Sequence, residues 1–201
     1  FIDEVTFDAK LYIRCHALAR MQDYCMIHKF APYLLPRNMK TNSLQMKHLD
    51  FGAGMGGNAT YSNILLKASY TAIEAHQWSY DIQRLFFRKL ADKSRPYLDV
   101  LAAESMELAP EKLENEILSN KYAIKQIPSW FFKKIEDTSY NLVTATNVLN
   151  ELNTSAIIYM LANSNRVLQK NGYVYIRDSG KLKPGRHLID YDRVLIEHMG
   201  F

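Results

Sequence analysis

Between His48 and Tyr61 the chain reads HLDFGAGMGGNATY, and four of its eight glycines fall within the six residues 52–57. An apolar run ending in an aspartate precedes them, and a long apolar-periodic segment follows. Glycine gives up more backbone freedom on folding than any other residue. A cluster where a strand turns into a helix is therefore kept for close approach of something to the backbone. Gly52, Gly54 and Gly56 stand at alternate positions, which is not the G-x-G-x-x-G spacing of dinucleotide binders. The physical logic is shared: missing side chains let a ligand lie against the backbone, and the amides that open the next helix face it.

The rest of the chain supplies alternating elements on either side of this turn. Apolar residues at Phe7, Leu11, Cys15, Leu18 and Cys25 recur at helical spacing from Asp3 to about Lys29, with Pro32 and Pro36 expected to end that helix. QMKHLDF reads as a first strand, NATYSNILLKA as a helix and YTAIEA as a second strand. QWSYDIQRLFFRKLADK follows as a helix with Trp78, Ile82, Leu85, Phe86 and Leu90 on its inner face. PYLDVLAA is a third strand, and 104–138 is irregular. YNLVTATNV is a fourth strand, and SAIIYMLANSNRVLQK a helix with Ile157, Leu161 and Leu168 inward, stopped by Asn171 and Gly172. YVYIRDS is a fifth strand and YDRVLIEHMGF a closing helix. Five alternations imply a doubly wound, mostly parallel α/β sheet with helices on both faces. The expected division is a helical extension over 1–45 and one α/β domain over 46–201.

Composition fits that picture: 201 residues, 48% apolar and 23% charged, form one ordinary globular domain. No run approaches the length needed to span a bilayer. Cys15 and Cys25 form neither a disulfide framework nor a zinc pattern and are expected as small buried residues in a reducing, intracellular compartment. The chain opens on Phe1 rather than methionine, as expected of a piece or processed form of a longer protein. The net charge of +4 is mildly basic and compatible with nucleic acid.

In such sheets ligands sit beyond the carboxyl ends of the strands. Glu74 ends the second strand, where a carboxylate can accept from both hydroxyls of a ribose, and Glu104 and Ser105 follow the third, where a base edge can be read. Together with the glycines these residues resemble the class I S-adenosylmethionine-dependent methyltransferases. LDFGAGMG is similar to their first motif, YTAIEA to their second and YNLVTATNVLNEL to their fourth, over Met46 to Ser179. Asn141 stands where the family commonly has Asp. The resemblance implies that Asp50, Gly52, Ala53 and Gly54 bed the methionine portion of S-adenosyl-L-methionine and Glu74 the ribose. Glu104 and Ser105 would take the adenine, Thr146 and Asn147 would flank the sulfonium, and Phe51, Gly56 and Ala75 belong to the same cofactor-binding set. Asn147, Asn153 and Thr154 read equally well as helix-capping residues.

ARMQDYCMIHKF and VLNEL also look like the mitochondrial small-ribosomal-subunit methyltransferase-like assembly proteins. Arg20, Met21 and Tyr24 fit that family's Arg-aromatic/Met-Pro-x-Thr-Tyr signature, whereas Gln22 and Asp23 depart from it, and its iron-sulfur cysteine cluster has no counterpart here. This resemblance implies ribosomal RNA or a small-subunit particle as partner and a mitochondrial location; without it the expected location is cytoplasmic. NKYAIKQIPSWFFKK mixes Lys121, Lys125, Lys133 and Lys134 with Tyr122, Trp130, Phe131 and Phe132, the residue types that hold single-stranded RNA. The favoured alternative is an amphipathic helix with its rings on the sheet and its lysines in water. No PPY follows the fourth strand, the PC nucleophile of cytosine chemistry is absent, and His187 reads as a surface residue, so no catalytic residue is assigned. The expected function is methyl transfer to RNA or a ribosomal particle. Its rivals are a small-molecule O- or N-methyltransferase and a non-catalytic cofactor-binding assembly factor.

Overall fold

A computed structural model of the chain describes residues 14, 18, 20–34, 46–91, 96–105 and 109–178. Helix α1 (Met21–Leu34) leads into β1 (Lys47–Phe51). The glycine turn joins β1 to α2 (Gly57–Thr60), which widens into a π-helical turn (Tyr61–Leu65), and then come β2 (Ser69–Glu74) and α3 (Gln77–Leu90). Next are β3 (Tyr97–Asp99), α4 (Val100–Ser105), α5 (Pro110–Leu118) and β4 (Ile124–Pro128). Two 3-10 turns, Ser129–Lys134 and Leu149–Glu151, flank β5 (Tyr140–Thr146), and α6 (Thr154–Val167) runs directly into β6 (Leu168–Arg177).

The six strands form one sheet in the order β3-β4-β2-β1-β5-β6, every neighbouring pair parallel. Period-two alternation along β1 divides the layers. Leu49 and Phe51 face a core with Ile73, Ile127, Val143 and Ala145, covered by Leu113 and Ile117 of α5, Phe131 and Phe132, and Ile157, Met160 and Leu161 of α6. On the other face Tyr70, Ala72 and Ile124 meet Ala59 and Phe87, and Leu142 meets Tyr24, Ile27 and Tyr61. The chain leaves β1 toward β2 and later returns to the opposite side of β1 as β5. The topological switch therefore lies at β1, above which ligands of such sheets sit.

Several sequence-based expectations change here. Among the described residues there are six strands rather than five. The added one, β4, is a buried strand between β2 and β3, with Lys125 and Gln126 in its middle. These polar residues hide it from an apolar-run criterion, and their partners explain how they are buried. The Lys125 ammonium donates to the carbonyls of Ile117 (2.5 Å) and Ser119 (2.7 Å), closing the carboxyl end of α5. Burial pulls its pKa down to about 8. Helix α3 faces inward through Tyr80, Gln83 and Phe87, with Phe86 and Leu90 packed beside them as expected, while Trp78 (61% exposed) and Leu85 (64%) point outward instead of inward.

Helix α1 continues past Pro32 to Leu34, because a proline in the last turn removes only one hydrogen bond. Helix α2 holds four α-helical residues before its π-helical turn, shorter than expected. Asn171 and Gly172 lie inside β6 rather than ending α6, with Asn171 at φ 65°. Leu168 likewise opens β6 instead of ending α6. Cys25 is exposed. Cys15, His187, Pro36, most of the leading helix and the closing helix lie outside the described residues.

Candidate cofactor site

Each of the three alternate glycines has positive φ: 63° at Gly52, 56° at Gly54 and 80° at Gly56. Their surroundings give them different tasks. A Cβ on Gly52 would stand 2.3 Å from Val148 Cγ2, and one on Gly56 2.7 Å from Phe87 Cε1, so both are small to let the protein pack on itself. A Cβ on Gly54 would meet nothing within 4 Å. Only Gly54 offers the open backbone that all three were expected to provide. The turn is tied to β2 by the amides of Gly52 and Ala53, which both donate to the Ile73 carbonyl (2.9 and 3.2 Å).

Glu74, buried at the carboxyl end of β2, closes onto this turn. Its Oε2 accepts from Gly54 N–H (2.8 Å), and its Oε1 from the amides of Ala75 (2.8 Å) and His76 (2.9 Å). The side-chain amide of Gln83 donates to the Gly54 carbonyl (2.5 Å) and to Glu74 Oε2 (3.4 Å). Gly54 and Glu74, twenty residues apart, thus form one unit.

Asp50 plays a different part. Its carboxylate is 1% exposed and accepts from Thr144 Oγ1 (2.6 Å), Tyr70 OH (2.6 Å) and Asn58 Nδ2 (3.1 Å). Burial raises its pKa, and those three donors and the Arg20 charge oppose the rise. Because the Thr144 hydroxyl donates to Asp50, it accepts from His48 Nε2 (2.8 Å), which leaves His48 Nδ1 to accept from Ser62 Oγ (2.9 Å). Burial pulls the His48 pKa down to about 3, so this imidazole is neutral. Asp50 therefore braces β1, β2, β5 and α2 beneath the glycine turn. Phe51 and Ala53 are buried in the cores on opposite faces.

At the end of β5, Thr146 Oγ1 accepts from Arg20 Nη1 (2.7 Å), and Asn147 turns with φ 57° while its N–H donates to the Arg177 carbonyl (2.7 Å). Arg20 also pairs with Asp23 (3.4 Å). Asp23, fully buried, takes Tyr175 OH (2.9 Å), Arg177 Nη2 (2.9 Å) and Arg177 Nε. Burial pushes the Asp23 pKa up, but the hydrogen bonds from Arg177 and Tyr175 and the charges of Arg177 and Arg20 outweigh it and hold the carboxyl below its ordinary value. Tyr24 stacks on Tyr61 (centroids 4.7 Å apart) and donates to the Gly57 carbonyl. Helix α1 is so fastened both to the glycine turn and to the ends of β5 and β6.

Glu104 and Ser105 are not at a strand end. Strand β3 stops at Asp99, whose carboxylate accepts from the amides of Leu101 (3.1 Å) and Ala102 (3.2 Å) and starts α4; both residues lie in that helix. The strand beside β2 is β4, with Glu74 registered against Pro128. Of the capping alternatives, Asn153 caps α6 by accepting from Ala156 N–H (2.9 Å). Gln83 escaped the sequence reading because a glutamine on an amphipathic helix passes for a surface residue. The spacing Tyr80-Gln83-Phe87 is the signal that reveals it.

The basic aromatic segment divides in two. Phe131 and Phe132 are buried, and Lys125 is only 3% exposed, leaving Trp130 outward at 57%. Lys121 precedes β4 and pairs with Glu116 (3.6 Å), whereas Lys133 and Lys134 follow its carboxyl end, Lys134 pairing with Glu114 (3.1 Å). Phe131 and Phe132 on the core and Lys121, Lys133 and Lys134 at the surface match the amphipathic alternative, built on a strand and a 3-10 turn instead of a helix, whereas the buried Lys125 and outward Trp130 depart from it.

The architecture is that of the class I S-adenosylmethionine-dependent methyltransferases. A protein of Galdieria sulphuraria assigned as a sarcosine dimethylglycine methyltransferase aligns with 80% of this chain and 46% of its own (TM-score 0.52, 16% identity). Phosphoethanolamine N-methyltransferase 2 of Haemonchus contortus, solved with S-adenosyl-L-methionine, aligns over 90% and 36% respectively (TM-score 0.56, 12% identity). The chain thus spans less than half the length of either. Neither a protein-family model nor the sequence of a curated protein matches it.

Proposed function

We propose that the chain binds S-adenosyl-L-methionine against Gly54 and Glu74 and directs its methyl group to an acceptor. One observation carries this reading. Of the three alternate glycines, the one with open space beyond its Cα is the one whose N–H holds the carboxylate ending the neighbouring strand. A backbone that a ligand can approach and a buried acceptor for ribose hydroxyls thus meet at one point above the topological switch. The cofactor supplies an electrophilic methyl carbon on a sulfonium. The residues here have to bed it, orient it and align an incoming nucleophile, which is where most of the rate gain of an in-line transfer resides. Thr146 and Asn147, whose neighbour Val148 packs on Gly52, would flank the sulfonium in this reading. On the adenine side the register of Glu74 with Pro128 favours the Pro128–Ser129 end of β4 over Glu104 and Ser105.

The proposed acceptor is RNA or a ribosomal particle, supported by the resemblance of the Arg20–Tyr24 segment and by exposed Trp130 and Lys133 in the turn that follows β4. The names of the two structures of similar fold support the rival, a small amine. Calorimetric titration of S-adenosyl-L-methionine tests the binding: the wild type binds, and Glu74→Ala and Gly54→Val each lose at least tenfold in affinity, equivalent to about 1.4 kcal/mol. A wild type that folds and does not bind overturns it. RNA affinity that falls steeply with salt separates the two acceptors, since phosphate contacts release counterions.

A further inference from the structure

The unit formed by Gly54 and Glu74 is held from behind by residues that lie in no motif. Gln83 is fully buried in α3, and its Nε2 donates to both the Gly54 carbonyl (2.5 Å) and Glu74 Oε2 (3.4 Å). Only an amide nitrogen can face a carbonyl and a carboxylate together; its oxygen there would oppose two acceptors. The Oε1 of Gln83 must then face a donor, and it does: Nε2 of Gln126, also fully buried, at 3.3 Å. The same Gln126 nitrogen donates to the Tyr80 carbonyl (2.6 Å), so both its hydrogens are used. That orientation turns Gln126 Oε1 toward the Tyr97 hydroxyl, which donates to it. Tyr97 stays protonated, because burial pushes its phenol well above its ordinary pKa. Each amide orientation is fixed by the next, running one way from the edge strand β3 through β4 and α3 to the glycine turn.

From this chain of donors we infer that Gln83 is a positioning residue for ribose recognition, set by Gln126 and Tyr97. It fixes the Gly54 peptide and the Glu74 carboxylate in the relation that a ribose diol must meet. The inference rests on the cofactor reading above and adds the device that makes Glu74 selective for hydroxyls. A carboxylate accepts at about four lone-pair sites, and four protein N–H groups engage Glu74, the one from Gln83 being the longest. A ribose hydroxyl displaces this longest donor at Oε2, while the short bond from Gln83 to the Gly54 carbonyl keeps the turn in register.

The test compares S-adenosylhomocysteine with its 2′-deoxy and 3′-deoxy counterparts by equilibrium titration. The wild type discriminates by about tenfold or more for the hydroxyls that Glu74 accepts. Gln83→Leu lowers that ratio at least severalfold, whereas a residue with a purely structural role weakens all three ligands alike and leaves the ratio unchanged. Tyr97→Phe, which removes a single hydroxyl, lowers the ratio in the same direction to a smaller extent and gives the answer if Gln83→Leu does not fold. An unchanged ratio in the folded variants overturns the inference while the cofactor reading stands. A raised ratio also overturns it, because competition of Gln83 for Glu74 would then outweigh positioning. A wild type that binds none of the three ligands overturns both.

Discussion

Three glycines that look alike in sequence are not equivalent. Gly52 and Gly56 are small because Val148 and Phe87 lie where their Cβ atoms would be, and Gly54 because its peptide is open and left-handed. The difference is measurable. Gly54→Ala adds only backbone strain, about 1–2 kcal/mol for a left-handed L-residue. Gly52→Ala adds the same strain and a clash with Val148, for which overpacking typically contributes a further 1–3 kcal/mol or so. Thermal or denaturant unfolding is therefore expected to show Gly52→Ala as the less stable variant, and the opposite order would contradict these assignments. Glu74 was legible from sequence because a carboxylate at the end of a strand, following the glycine turn by one βα unit, has few structural uses. Asp50 was legible as important but not in its role: four elements converge on its carboxylate, and such convergence is a tertiary property with no spacing of its own.

Among elements, the legible ones obey a single hydrophobic period. The strands β1, β2 and β5 are apolar runs bounded by turns, and α6 shows Ile157 and Leu161 inward as its spacing demands. Strand β4 was hidden because Lys125 and Gln126 are buried by partners outside the strand, the carbonyls at the end of α5 for Lys125 and groups of α3 and β3 for Gln126. The inner face of helix α3 was only partly legible: Phe86 and Leu90 pack on the core, but its most buried positions carry Tyr80 and Gln83, whose polar tips are satisfied only inside the folded molecule. Helix α1 makes its own prediction. The Asp23 carboxylate joins it to Tyr175 and Arg177 of β6. Its removal in Asp23→Ala costs roughly 1–3 kcal/mol of local stability, so amide exchange across Met21–Leu34 should accelerate by about ten- to a hundredfold. Exchange in β1 and β2 should stay as it was. Acceleration that spreads equally through the sheet would show that α1 is integral to the core and not a fastened cover.

For the molecule as a whole, the parallel sheet order and the switch at β1 place glycine turn, carboxylate and the Thr146–Asn147 corner on one rim, with α1 and α3 bracing them from one face. That common rim is what the central claim requires. The most direct test is hydrogen exchange with and without S-adenosyl-L-methionine, read residue by residue. Cofactor binding at this rim should slow exchange at residues 52–57 and at Glu74, Ala75 and His76, the amides that form and surround the turn, with the amino ends of the strands near Lys125 unaffected. Protection that appears elsewhere, with the glycine turn and the Glu74 corner unchanged, would contradict it.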